Sequence, residues 1–265
     1  MKNFKLKQIP ERTAKPRENG ITMIMDKGLS FREAEDMLSV SGDHIDIVKL
    51  GFGTSYVTPN LDKKIALYHS HNMAVYLGGT LFEAYLVRNQ YDDYLRMIEK
   101  LGLRYAEVSD GSIELPHDLK LEYIQKLSKY VTVLSEVGSK DVEKIMPPYI
   151  WIDLMQKEIQ AGAWKVIAEA RESGNVGVYR SSGEVREGLV QEILTKIPGE
   201  KIIWEAPQKS QQAYFVKLVG ANVSLGNIAT NDVIPLETLR LGLRSDTFSF
   251  SLGKNAKYMT KKRPS

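Results

Sequence analysis

Short β-rich apolar runs, each ending in polar residues or glycine, alternate along the chain with longer segments whose apolar residues recur at helical spacing. The short runs are ITMIMD from Ile21, HIDIVKL from His44, MAVYL from Met73, RYAEVS from Arg104, VTVLSE from Val131, WKVIAEA from Trp164, KIIWEA from Lys201 and ANVSL from Ala221. The helical stretches between them include SFREAEDMLS, LDKKIALYHSHN, DDYLRMIEKLG, LKLEYIQKLSKY, IDLMQKEIQAG and EVREGLVQEILTKI. After the last run, PLETLRLGL places proline at a first helical position and glycine near the end. Strands that alternate with helices pair in parallel through right-handed crossovers. An open doubly wound sheet competes with a closed barrel, but no dinucleotide fingerprint follows the first run. Eight units within 265 residues favour an α/β fold, a single-domain (β/α)8 TIM barrel. No proline- or glycine-rich linker divides it. Residues 1–19 read as an N-terminal extension, 20–252 as the barrel domain and 253–265 as a basic tail.

Barrels of this kind build their active sites at the C-terminal ends of the strands. Those ends carry Asp26 with Lys27, Lys49, Thr80, Glu107 with Ser109 and Asp110, Glu136 followed by Lys140, Glu169 with Arg171, Glu205 and Asn227. Ionised groups crowded at one rim are unfavourable unless they pair, bind metal or bind a charged substrate. Any one of these carboxylates is equally a strand-end charge paired with a nearby lysine, so the functional reading rests on the whole ring. Glu83, three residues after Thr80 in GGTLFE, reads as the carboxylate of a capping box. Gly51 and Gly53 lack the later glycine of a dinucleotide loop. His69 and His71 do not share a helix face and read as surface residues, and His44 and His117 have no partner at ligand spacing.

Composition narrows the chemistry. No apolar run approaches the roughly 18 residues that cross a bilayer, and the basic start lacks the apolar middle of a signal peptide. The absence of cysteine removes disulfides, thiolate zinc sites and cysteine nucleophiles together. A net charge of +3 is too small to argue for nucleic acid, and the basic excess gathers in KNAKYMTKKRPS, which reads as a solvated tail. A cytoplasmic protein with no membrane or nucleic-acid partner is the expectation.

Carboxylates and cationic side chains around one mouth, without thiols or paired histidines, suit a hard, oxygen-ligated cation such as Mg2+. Asp26, Glu107, Glu136, Glu169 and Glu205 form the pool of metal ligands, with Glu107 and Glu136 favoured as adjacent strand ends. Lys49, Lys140, Arg171, Arg180 and Lys209 suit an anionic substrate. The loops EAPQKSQQ and SLGNIATND follow the seventh and eighth runs, where such barrels bind phosphate, and Ser210 is a candidate helix cap there. Gln208, Asn227 and Thr80 join the substrate-binding candidates. The long glycine- and serine-rich segment Glu172–Arg186 reads as a lid, with Arg180 reaching inward. Together these features suggest a small phosphorylated carboxylate handled with Mg2+, but not the reaction.

The segments GITMIMDKGL, DIVKLGFGTS, YLGGTLFE, EVSDGSIEL, LSEVGSK, EARESG, WEAPQKSQQAYF and LETLRLGLRSDTFSF closely resemble the phosphosulfolactate synthase family, in the same order from Gly20 to Phe250. The resemblance implies an enzyme on a (β/α)8 barrel that adds sulfite to the methylene carbon of phosphoenolpyruvate with Mg2+. The product is (2R)-3-sulfolactate phosphate, formed through an ene-diolate and serving coenzyme M or sulfolactate synthesis. EVGSK matches the second lysine of the family's EVGKK, with Ser139 in place of the first, which makes Lys140 the expected proton donor. Lys49, Arg171 and Lys209 are then the candidates for phosphate, carboxylate and sulfite, Lys49 being the second catalytic candidate. A homo-oligomer is expected, because barrels often associate through their outer helices. The alternatives are another Mg2+-dependent phosphoenolpyruvate or enolate lyase, and a non-catalytic barrel used as a binding scaffold.

Overall fold

Strand β1 spans Thr22–Asp26, β2 Ile47–Leu50, β3 Ala74–Tyr76, β4 Tyr105–Val108, β5 Thr132–Val137, β6 Ala163–Ala168, β7 Ile202–Glu205 and β8 Leu225–Ala229. Helices α1 (Phe31–Ser41), α2 (Leu61–Ser70), α3 (Gly79–Leu86), α4 (Tyr91–Lys100), α5 (His117–Leu127), α6 (Pro148–Gln160), α7 (Glu187–Leu194), α8 (Lys209–Val219) and α9 (Val233–Arg240) lie between and after them. This computed structural model describes residues 3–138, 146–250 and 252. The tail from 253 onward, and Lys140 with its turn, fall outside the described residues.

Every ladder is parallel, and the order β3-β2-β1-β8-β7-β6-β5-β4 brings the first strand against the last. That winding is the expected (β/α)8 barrel. Its ends, β3 and β4, lie side by side with no ladder between them among the described residues. A side chain bridges this seam: the N–H of Gly79 donates to Glu107 Oε1 at 2.7 Å. Glycine is required there, since a Cβ would fall 2.6 Å from that same oxygen.

Successive strand residues point to opposite faces. Ile24, Val48, Val75, Ala106, Val133, Val166 and Trp204 pack outward into the layer shared with the helices, while Met23, Ile47, Tyr76, Leu134, Ile167 and Ile203 fill the barrel. With both faces buried, the strands read as nearly continuous apolar runs, which is why they stand out in the sequence. The start of α1 follows local chemistry equally well. In α1, Glu33 N–H donates to Ser30 Oγ while Ser30 N–H donates to the Glu33 carboxylate, a complete capping box.

Three expectations are corrected. Strand β8 begins at Leu225, so ANVSL overlaps it only at that residue. Gly226 and Asn227 resemble turn residues, but the glycine makes room inside the barrel for the tip of Met23, and Asn227 takes a φ of 54° within the strand. Two helices, not one, separate β3 from β4, because the mostly apolar GTLFEAYL of α3 has no polar stripe to mark it. Ser210 is not the cap of α8; Gln208 takes that place and exchanges hydrogen bonds with Gln211.

The N-terminal extension is fastened across the N-terminal end of the barrel. Arg12 pairs with Glu237 at 3.1 Å and donates to the carbonyl of Gly20, and Arg17 pairs with Asp46 at 2.9 Å. No helix among the described residues is long and apolar enough to cross a membrane.

Candidate active site

Inside the barrel five strands repeat one pattern, an apolar or aromatic residue followed two positions later by an ionisable one. The pairs are Ile47 and Lys49, Tyr105 and Glu107, Leu134 and Glu136, Ile167 and Glu169, and Ile203 and Glu205. Residues two apart on a strand share a face, so the apolar members form a floor and the ionisable ones rise towards the C-terminal mouth. Lys49 Nζ lies 3.1 Å from Glu107 Oε2, 3.3 Å from Glu205 Oε1 and 3.7 Å from Glu136 Oε2. All four side chains are buried.

Three carboxylates thus surround one ammonium. Burial pulls the Lys49 pKa down, but Glu107, Tyr76, Glu205 and Glu136 outweigh it and hold the lysine well above its ordinary value. Lys49 is therefore a fixed cation. Glu205 moves the other way. Burial, followed by repulsion from Glu136 and Glu107, prevails over Lys49 and the Ala170 N–H and pushes its carboxyl up to about 7. The Ala170 N–H donates to Glu205 Oε2 at 3.0 Å. Tyr76 completes the wall, its hydroxyl donating to Met23 Sδ at 2.9 Å; burial and then Glu107 drive its phenol pKa up.

The remaining candidates have other surroundings. Asp26 is fully buried and faces the helix layer. It accepts the N–H groups of Gly28 and Leu29 at 2.8 Å each and the Tyr68 hydroxyl at 2.8 Å, and it pairs with Lys64 at 2.6 Å. Its oxygens are committed to holding the turn after β1. Glu169 is buried just beyond β6 and accepts the N–H of Arg171. Arg171 and Arg180 are exposed in the loop after β6, and Thr80 is exposed in the first turn of α3. Lys209 pairs with Asp246 at 3.1 Å, and Gln208 donates to the carbonyl of Ser173 at 2.8 Å. Lys27 pairs with Glu172. Asn227 is buried, and its Oδ1 has no hydrogen-bond partner among the described residues.

Glu83 departs from the capping-box expectation. It is buried and reaches the β4–α5 loop, where it accepts from Ser109 Oγ, from Gly111 N–H at 3.1 Å and from Ser112 N–H at 2.8 Å. The segment Glu172–Arg186 is partly folded: Tyr179 bridges to Val185, and Gln211 of α8 donates to the carbonyls of Gly174 and Gly183.

The family described as (2R)-phospho-3-sulfolactate synthase matches residues 10–246. The chain belongs to the phosphosulfolactate synthase family. It is 42% identical over 251 residues to the phosphosulfolactate synthase of Bacillus subtilis, covering 94% of this chain and 99% of that one. It is 40% identical over 244 residues to that of Methanothermobacter thermautotrophicus, covering 90% and 95%. Phosphosulfolactate synthases are enzymes, so the charged mouth belongs to a catalyst. Among solved structures, 3-hexulose-6-phosphate synthase from Salmonella typhimurium superposes with a TM-score of 0.54 at 14% identity, over 84% of this chain and all of that one, a likeness of fold alone.

The donor set of this family member suits a hard cation in its chemistry. Glu107, Glu136 and Glu205 present carboxylate oxygens around the one ammonium, the hard donors such a cation takes. Among the described residues, however, no three acidic or histidine side chains already form an open cage. The carboxylates close on Lys49 instead, so a metal would share them with the lysine.

Proposed function

We propose that this chain adds sulfite to phosphoenolpyruvate with Mg2+, giving (2R)-phospho-3-sulfolactate. The observation that carries this reading is the fixed cation Lys49 among Glu107, Glu136 and Glu205, at the mouth of a barrel whose relatives are named for that product. In the first step the sulfur lone pair forms a C–S bond with the methylene carbon, and the displaced π pair moves onto the carboxylate as an ene-diolate. A proton then adds to the carbon that bears phosphate. A positive charge in a buried site favours the ene-diolate over the ground state, which is what lowers a barrier. Lys49 supplies such a charge, and bound Mg2+ would add Lewis-acid stabilisation of the same kind. Arg171 and Arg180, exposed on the loop after β6, suit the phosphate and sulfonate groups.

Two residues are candidates for delivering the proton. Lys140 follows from the family resemblance and lies outside the described residues. Glu205 is the second: it is buried in the cluster 3.3 Å from Lys49, and its carboxyl, pushed up to about 7 chiefly by burial, still holds a proton near neutral pH.

Purified protein incubated with sulfite, phosphoenolpyruvate and Mg2+ should consume the phosphoenolpyruvate phosphorus NMR signal and produce that of a phosphate ester. Consumption without sulfite, or none with it, refutes the proposal. Under the same conditions, turnover lost in Lys140→Ala but kept in Glu205→Gln assigns the proton to the lysine, and the reverse pattern assigns it to Glu205.

A further inference from the structure

At the opposite end of the barrel, beneath the N-terminal extension, lies a cavity of about 390 Å³, within the range of small-molecule sites. Two aromatic rings from the strand starts line it: Tyr105 and Trp164 meet edge to face with centroids 5.8 Å apart. Lys15, Arg17, His69 and Arg104 also line it. The layer of Met23, Ile47, Leu134, Ile167 and Ile203 stands between this cavity and the Lys49 cluster.

The charges here do not balance. Asp46, the acidic residue of the lining, is already paired with Arg17 at 2.9 Å. Lys15 is half-buried, and its ammonium donates to a neutral group, the carbonyl of Gly42, at 2.9 Å. Burial, with Arg17, lowers its pKa more than Asp46 and Asp43 restore it. The Arg104 side chain makes no hydrogen bond or ion pair among the described residues, and His69 is lowered first by burial and then by Arg104. Lys15 is thus a partly desolvated cation bonded only to a neutral carbonyl, in a lining with three cationic side chains and one acid, and an anion would relieve it. The aromatic lining adds a surface for a flat apolar body.

We propose that this cavity binds a small organic anion, its charged head held by Lys15 and Arg104 and its flat body against Tyr105 and Trp164. Trp164 is a built-in reporter, because it lines the cavity while Trp151 and Trp204 are buried away from it.

The full-length protein is titrated with benzoate, phenyl phosphate and the neutral benzyl alcohol, by calorimetry and by tryptophan fluorescence. Benzoate or phenyl phosphate should bind and change the Trp164 emission, with benzyl alcohol at least about tenfold weaker; the tighter of the two anions identifies the preferred head group. Arg104→Gln alters an exposed side chain without partners, so it should leave the melting temperature unchanged while weakening the anion at least about tenfold. Lys15→Met should do the same to binding. The proposal is overturned if neither anion binds, if benzyl alcohol binds as tightly, or if both variants bind the anion like the parent protein. These readouts need no turnover, so their failure is separate from failure of the proposed reaction.

Discussion

Lys49 and Lys120 are both buried lysines beside β5, yet they are opposites. Lys120, on α5, pairs with Glu158 at 3.0 Å and Asp110 at 2.9 Å, and donates to the backbone carbonyl of Glu136 at 2.6 Å. Glu158 in turn accepts from Ser135 at 2.6 Å and lies 3.2 Å from His117 Nε2. Lys120 thus gives each of its hydrogen bonds to an acceptor and ties the loop after β4 to β5 and α6. Around Lys49 lie three buried carboxylates, and crowding with burial drives one of them up to about 7. The two sites are back to back, with Ser135 facing out to Glu158 and Glu136 facing in to Lys49. Burial of a charge does not by itself mark a functional site; a carboxyl held far from its ordinary pKa by burial and neighbouring acids does.

The sharpest way to break this contrast is Lys49→Met. It should lower turnover by about a thousandfold, as loss of a preorganised transition-state charge does, while the near-ultraviolet dichroism of the folded barrel persists. Turnover within tenfold of the parent would place Lys49 with Lys120 as a structural residue. Lys120→Met should do the reverse. It takes from buried Glu158 its lysine and leaves it only Ser135 and His117, so urea denaturation should show a loss of about 3–5 kcal/mol, with a much smaller change in turnover per folded molecule.

Glu205→Gln tests the crowding itself. A carboxyl with a folded pKa of about 7, against an ordinary value of 4.5, keeps its proton in the native state when the unfolded chain has lost it. Stability therefore falls as pH rises through that window. The glutamine variant should be more stable than the parent at about pH 8, by up to about 3 kcal/mol, and the gap should close towards about pH 5. A gap independent of pH would remove the shift. The smallest expected effect is that of Glu83→Gln, about 1–2 kcal/mol, with faster hydrogen exchange at the amides of Gly111 and Ser112 that Glu83 now accepts. Unchanged exchange there would show that the loop is held by something else.

Much of the barrel was legible because strands buried on both faces are continuously apolar, and α1 opens on the cap formed by Ser30 with Glu33. The I-x-K and L-x-E spacings, an apolar residue followed by a charge two positions on, were a readable sign of which strand ends point inward, and they separate Lys49, Glu107, Glu136 and Glu205 from Asp26. Asp26 sits one position out of step, in register with outward-facing Ile24. Other features had no local sign. Glu83 looks like a cap because its spacing from Thr80 is right, and only the fold brings Ser109, Gly111 and Ser112 to it. Gly226 looks like a turn until Met23 is seen across the barrel interior.

The sequence alone determined the eightfold alternation, the family and the stock of charged residues at the strand ends, because periodicity and motif are properties of neighbours along the chain. Tertiary structure alone decided which of those charges meet. Ion pairing depends on distances of 3 to 4 Å between residues such as Lys49 and Glu205, separated by 156 positions, and closing the sheet into a barrel is what sets them.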